Sequence, residues 1–313
     1  MSASQSALAP SQILAPVRRF FEYAAAADAM AGYEAALREN ALRRRRNGGT
    51  VTDQDQLEEV FCLFPARPLQ PPLAIVGGMG PLAGAMAFRR ACSRFRDSRP
   101  IVLFQACSVP DRSTIILHED GQRTRLSSEV ASQLAGAVRL AVGVAGSPSQ
   151  TARCIIACNS AHYFWRLLED ELRECEVQMI SLVDSTLHAL QSQPSRKTLV
   201  LTAEGARVGQ VFSAPFRDAG IAFDEPSPTL SRLLMRAIFE GVKALDDRGA
   251  VDLGNEFFET ILESRWDYDC VLAGCTELPL LIDLLRLHGS LAVAAFLSRV
   301  RIVDPMEEAL CRV

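Results

Sequence analysis

The chain has 313 residues, 49% hydrophobic and 22% charged, with 37 acidic side chains against 33 basic ones. That length suggests about two domains, and a composition so near the globular average excludes a largely disordered or collagen-like chain. A formal charge of -4 supplies no general cationic surface for nucleic acid or anionic membranes. No stretch approaches the roughly 20 apolar residues that cross a bilayer.

In chain order, the first seventy residues stand apart. Met1 to Val17 is rich in Ser, Ala and Gln and lacks acidic residues. Phe20 to Arg46 is Ala-rich and helix-prone, ending in Arg43-Arg44-Arg45-Arg46 before a plausible helix stop at Asn47-Gly48-Gly49. An acid-poor, Arg-bearing start permits a targeting role, but Glu22, Asp28, Glu34 and Glu39 dilute it. A helical arm packed on the core or on a partner is the preferred reading. Pro65 to Pro72 carries four prolines and reads as a linker. Residues 1–70 are therefore expected to be a helical and linker extension.

Beyond it, short apolar runs alternate with longer helix-like segments. The runs are 73–76, 101–104, 154–157, 179–183, 198–201, 270–273 and 300–303. Continuously apolar, β-branched strands of this kind belong to parallel sheets covered on both faces, so the class is α/β. The expected division is one α/β domain from 71–183 plus 300–313 and a second from 184–299.

The two halves resemble each other. LAIVGGMG (73–80) matches TLVLTAEG (198–205), CIIACNSAH (154–162) matches CVLAGCTEL (270–278), and ISLVDST (180–186) matches VRIVDPM (300–306). Thr198 lies 125 residues after Leu73, Cys275 lies 117 after Cys158, and Asp304 lies 120 after Asp184. Three features in one order at near-constant offset indicate an internal duplication.

Nine scattered cysteines, an odd number without a CxxC pair, read as reduced thiols in a cytosol-like compartment. No Cys/His pair follows Cys154 and Cys158 at zinc-finger spacing, and no metal site is expected. In each half one cysteine, Cys158 or Cys275, falls where a strand gives way to a helix, the position at which ligands bind in open parallel sheets. A thiol there is expected to have a lowered pKa. Opposed thiols suit inversion of a stereocentre: a thiolate removes a proton from one face while a thiol returns one to the other.

GGMGP (77–81), SVPDR (108–112), CNSAHYF (158–164), EGVK (240–243) and GCTELPLL (274–281) resemble the aspartate/glutamate racemase superfamily, and within it the aspartate branch. The resemblance spans residues 73–313 and implies two pseudo-symmetric α/β domains with the active site in the cleft between them, no cofactor, an acidic amino acid as substrate and a homodimer. By it, Cys158 and Cys275 are the acid/base pair. Asn159 and Ser160 beside the first, and Thr276 and Glu277 beside the second, bind substrate. Gly78 and Met79 line the pocket, and Arg112 with Lys243 holds carboxylates. His162 is expected to cap or pack, as are Asp184 and Asp304 at helix starts. His118, His188 and His288 read as structural. The chain departs from the family's ATEGT-like stretch, with Ala203 and Ala206 replacing two hydroxyls. That departure keeps open a catalytically weak binding protein, or a racemase for a different carboxylate.

Overall fold

The computed structural model describes residues 17–46, 58–118, 120–146, 150–264 and 267–313. The acid-poor start up to residue 16 and the helix stop at 47–49 lie outside the described residues.

The first half runs β1 (Val17–Phe21), α1 (Tyr23–Arg46), β2 (Glu59–Leu63), β3 (Leu73–Gly77), α2 (Pro81–Phe95), β4 (Ile101–Gln105), α3 (Arg112–Ile116), α4 (Asp120–Ala145), β5 (Ala152–Ile156), α5 (Trp165–Glu171) and β6 (Val177–Met179). These strands form one sheet in the order β1-β2-β4-β3-β5-β6. β3, β4, β5 and β6 are parallel, and β2 runs antiparallel to β4.

The second half runs α6 (Leu182–Ser192), β7 (Thr198–Thr202), α7 (Glu204–Val208), α8 (Ser213–Asp218), β8 (Phe223–Asp224), α9 (Pro228–Arg236), α10 (Asp247–Glu263), β9 (Cys270–Gly274), α11 (Leu278–His288), α12 (Leu291–Arg299), β10 (Arg301–Val303) and α13 (Pro305–Leu310). Its all-parallel sheet has the order β10-β9-β7-β8. Read from the other edge, β8-β7-β9-β10 repeats β4-β3-β5-β6. LAIVGGMG and TLVLTAEG fall on β3 and β7, and CIIACNSAH and CVLAGCTEL on β5 and β9. Of the third pair only 300–306 contains a strand, β10, because 180–186 begins after β6 ends.

The apolar strand runs are explained by burial on both faces. In the first sheet Val76, Val102, Phe104 and Ile156 face α4 through Val130, Leu134 and Val138. The alternate residues Leu73, Ile75, Ile101 and Leu103 face Phe88 and Ala91 of α2. In the second sheet Leu199, Leu201 and Val271 meet Phe257, Phe258 and Leu285, while Val200 and Leu272 meet Phe212 and Phe216. Truncating one of these large buried side chains to Ala costs about 2–5 kcal/mol.

Three expectations are corrected. The stretch 1–70 is more than a helical extension, because β1 and β2 lengthen the first sheet, and β2 is buried along its whole length. α1 lies on the core through Ala26, Met30, Tyr33 and Leu37, a helical i, i+4, i+7, i+11 stripe. Residues 301–303 join the second sheet beside β9 rather than the first domain. Only α13 crosses back, burying Met306, Ala309 and Leu310 against the first half. Finally, the run 179–183 is not one strand: β6 ends at Met179, and Ser181 caps α6 by accepting from the Asp184 amide at 3.1 Å. Asp184 thus sits in a first helical turn. Asp304 does cap a helix, accepting from the Met306 amide at 3.0 Å.

Candidate active site

The site forms where the carboxyl ends of β3, β5, β7 and β9 meet. β3 runs into Gly77-Gly78-Met79-Gly80 before Pro81 opens α2. Gly78 has φ +87°, and a Cβ there would lie 2.4 Å from the Ala106 amide nitrogen, so only glycine lets the turn press against the β4 loop. β5 delivers Cys158 and β9 delivers Cys275, each at a strand's end.

Both cysteines line one cavity with Met79, Arg112, Asn159, Ser160, Lys243, Thr276 and Glu277. All the expected site residues except Gly78 are in this lining, and Gly78 is in the turn that shapes it. The cavity is only about 20 Å³, room for about one water molecule. A wider groove of about 580 Å³ runs between α1, α2 and α11 but contains neither Cys158 nor Cys275.

The cations converge on one backbone carbonyl. Arg112 Nη2 donates to Met79 O at 2.9 Å and Lys243 Nζ donates to the same oxygen at 3.0 Å. Arg112, only 3% exposed, also donates to Pro110 O and Val109 O. Lys243 follows a π-helical turn over 237–242, lies 4.9 Å from the Phe239 ring and is 3.9 Å from Glu277 Oε1. Such wide turns recur where a helix must re-aim a functional side chain.

Asn159 is buried, and neither its amide oxygen nor its amide nitrogen has a hydrogen-bond partner. Leaving such atoms unsatisfied costs free energy, so the arrangement suits a ligand that completes them. Ser160 is buried beside it. In the other half, Cys275 Sγ donates to Glu277 Oε2 at 3.0 Å, and Thr276 Oγ1 donates to the same oxygen at 3.1 Å. Burial, followed by the Glu277 carboxylate, raises the Cys275 thiol well above its usual value. This corrects the expectation of a lowered pKa at the second cysteine: burial and the adjacent carboxylate outweigh any helix-terminus effect.

His162 packs and links, and it lies outside the cavity lining. Its Nδ1–H donates to Cys158 O at 3.0 Å, and its Nε2 accepts from the Leu182 amide at 3.0 Å. Accepting at Nε2 fixes the neutral tautomer, and burial holds the ring's pKa down at about 4. The imidazole therefore ties the Cys158 loop to the start of α6.

Of the two alanines, Ala203 lines the cavity. Ala206 instead lies among Phe212 and Phe216 in the core, so only one replaced hydroxyl concerns the site. Sequence reasoning missed Asp111, Ser113 and Phe239 in the lining. Asp111 and Ser113 flank Arg112, and Phe239 is one residue before EGVK, so neighbourhood to the motifs was the available signal. Among the described residues no group of three or more His, Cys, Asp or Glu could hold a metal ion, and no helix is long and apolar enough to cross a membrane.

The Asp/Glu/hydantoin racemase family model matches residues 76–312. In fold the chain is similar to Picrophilus torridus aspartate racemase, with TM-score 0.57 and 18% identity over 78% of this chain and 92% of that one. It is similar also to an aspartate racemase homologue from Pyrococcus horikoshii, with TM-score 0.52 and 19% identity over 78% of this chain and 97% of that one. With two matching sheets that present a cysteine each to one cleft, and a family match across nearly the whole core, the chain belongs to the Asp/Glu/hydantoin racemase family.

Proposed function

We propose that the protein is a cofactor-independent amino-acid racemase that interconverts L- and D-aspartate, with glutamate as the second candidate. The observation that carries this reading is the convergence of Cys158, Cys275, Arg112 and Lys243 on one cavity. A thiolate on one side of the α-carbon removes its proton. The electron pair is delocalised into the α-carboxylate, and the opposite thiol protonates the other face. Two cations favour a dicarboxylate and stabilise the charge that develops. A substrate carboxylate would take the place that Met79 O holds between Arg112 and Lys243, and the Asn159 amide would gain partners. The free volume of about 20 Å³ is less than an amino acid fills, so the lining has to rearrange to admit the substrate. Closure of the lining around it excludes water and strengthens these contacts.

The test is proton NMR of L-aspartate, and separately L-glutamate, in D2O with purified protein and no added pyridoxal phosphate. We expect loss of the α-proton signal, with inversion seen by chiral analysis. Either Cys158→Ala or Cys275→Ala should slow exchange by about a hundredfold or more, the usual contribution of one acid/base group. No exchange with either acid would remove the acidic amino-acid assignment and make the Ala203 wall the leading clue to another ligand.

A further inference from the structure

The two thiols are chemically unequal, although their positions are related by the duplication. Cys158-Asn159-Ser160 corresponds to Cys275-Thr276-Glu277, so the place of Ser160 in one half is taken by a carboxylate in the other. Glu277 is 2% exposed, and its Oε2 accepts from both Cys275 Sγ and Thr276 Oγ1. Its Oε1 has Lys243 Nζ at 3.9 Å. A Cβ on Gly80 would lie 1.8 Å from that oxygen, so the first half's glycine turn leaves room for the carboxylate. An ionised carboxylate accepts only, and the sulfur can satisfy it only as S–H.

We propose that Glu277 is a positioning residue that holds Cys275 as a thiol, making Cys158 the proton acceptor and Cys275 the proton donor in the resting enzyme. This rests on the two-thiol racemase reading. In that direction Cys158 thiolate takes the α-proton and becomes a thiol. The carbanion then takes the Cys275 proton, leaving a thiolate beside Glu277. Cys158 releases its newly gained proton to solvent and Cys275 takes one up from solvent, which restores the resting pair. Lys243, Arg112, Asp111 and Cys158 are the other charged or titratable groups lining the cavity. Of these, Lys243 partly offsets the negative charge at Glu277. The enantiomer whose α-proton faces Cys158 meets the enzyme ready to react. Its mirror image needs the disfavoured form.

The experiment is timed alkylation with iodoacetamide between pH 6 and 10, read peptide by peptide by mass spectrometry on the full chain. Exposed Cys311 serves as the accessible reference. Cys158 and Cys275 are each 7% exposed, so steric access does not favour either. We expect Cys158 to be alkylated first at neutral pH and Cys275 only at higher pH. In Glu277→Gln, Cys275 should react about threefold faster or more, since each unit of acidity gained yields more thiolate than its lower nucleophilicity takes away. The Cys158 rate should stay unchanged. The alkaline limb of the exchange rate should also move to lower pH in the variant. Equal labelling of both thiols in the wild type would overturn the inference, and that readout needs no variant to fold. So would a Cys275 rate unmoved in a folded Glu277→Gln protein. The same samples are assayed for α-proton exchange. Absent exchange with ordered labelling defeats the racemase assignment and leaves the Glu277–Cys275 pairing standing. Exchange with equal labelling defeats the pairing alone.

Discussion

The turn after β5 and the turn after β9 occupy the same place in two sheets of one strand order, yet their surroundings differ. The first carries Cys158, an Asn159 amide with no partner, and His162 bonded to both the loop and the next helix. The second carries Cys275 and Thr276 bonded to the buried Glu277 carboxylate, and Pro279 stands where the first has His162. The first turn is braced from behind and open in front. The second is satisfied within itself. Duplication supplied the placement of two thiols, and later side-chain choices made them different chemically.

The largest effect that would sharpen this comparison is the His162 brace. Its folded pKa of about 4 lies below the unfolded value of about 6.5, so the unfolded chain binds the extra proton first. Stability from this group is therefore complete above pH 6.5 and is lost as pH falls toward 4. The full loss is about 3 kcal/mol. Denaturant titrations at pH 7.5 and 4.5 should show that extra acid sensitivity in the wild type and not in His162→Gln. An equal pH dependence in both proteins would break the assignment of His162 as the brace.

Next in size is Asn159→Ala. Hydrogen bonds to a charged ligand contribute about 1.5–3 kcal/mol, so aspartate should bind about tenfold more weakly or worse. Because the unliganded amide has no partner to lose, the melting temperature should not fall by the amount usual for a buried polar truncation. A large fall in stability with unchanged affinity would mean that the amide serves the fold and not a ligand.

The smallest effect concerns the link between the halves. Arg38 of α1 pairs with Asp247 of α10 at 3.2 Å, and both side chains are substantially exposed. Surface pairs of this kind contribute less than about 1 kcal/mol. Arg38→Ala should change stability by no more than that, with salt erasing the difference. A larger loss would mark α1 as a strap across the halves rather than a layer on the first.

Much of this arrangement is legible in the sequence, and the exceptions have physical causes. Six of the seven expected strand runs coincide with strands, because double-sided burial demands continuous apolar residues. The run 179–183 misled because apolarity continues across the strand end into α6, and only the Ser181 cap marks the change. β2 was hidden because Glu59 and the neighbouring Pro-rich segment resemble linker, while its partner β4 is some forty residues away, as in Phe61 opposite Leu103. A non-local ladder leaves no periodic trace.

By itself the sequence determined the α/β class, the duplication, and the placement of Cys158 and Cys275 at equivalent strand ends. These follow from local apolar pattern and motif order, which survive without knowledge of contacts. Tertiary structure alone decided that β10 joins the second sheet while α13 returns to the first. It also decided that Ala203 lines the cleft while Ala206 is core, and that the Cys275 thiol faces a carboxylate. Burial, hydrogen-bond partners and pKa depend on which groups distant in the chain are brought together, and a linear pattern carries no measure of that distance.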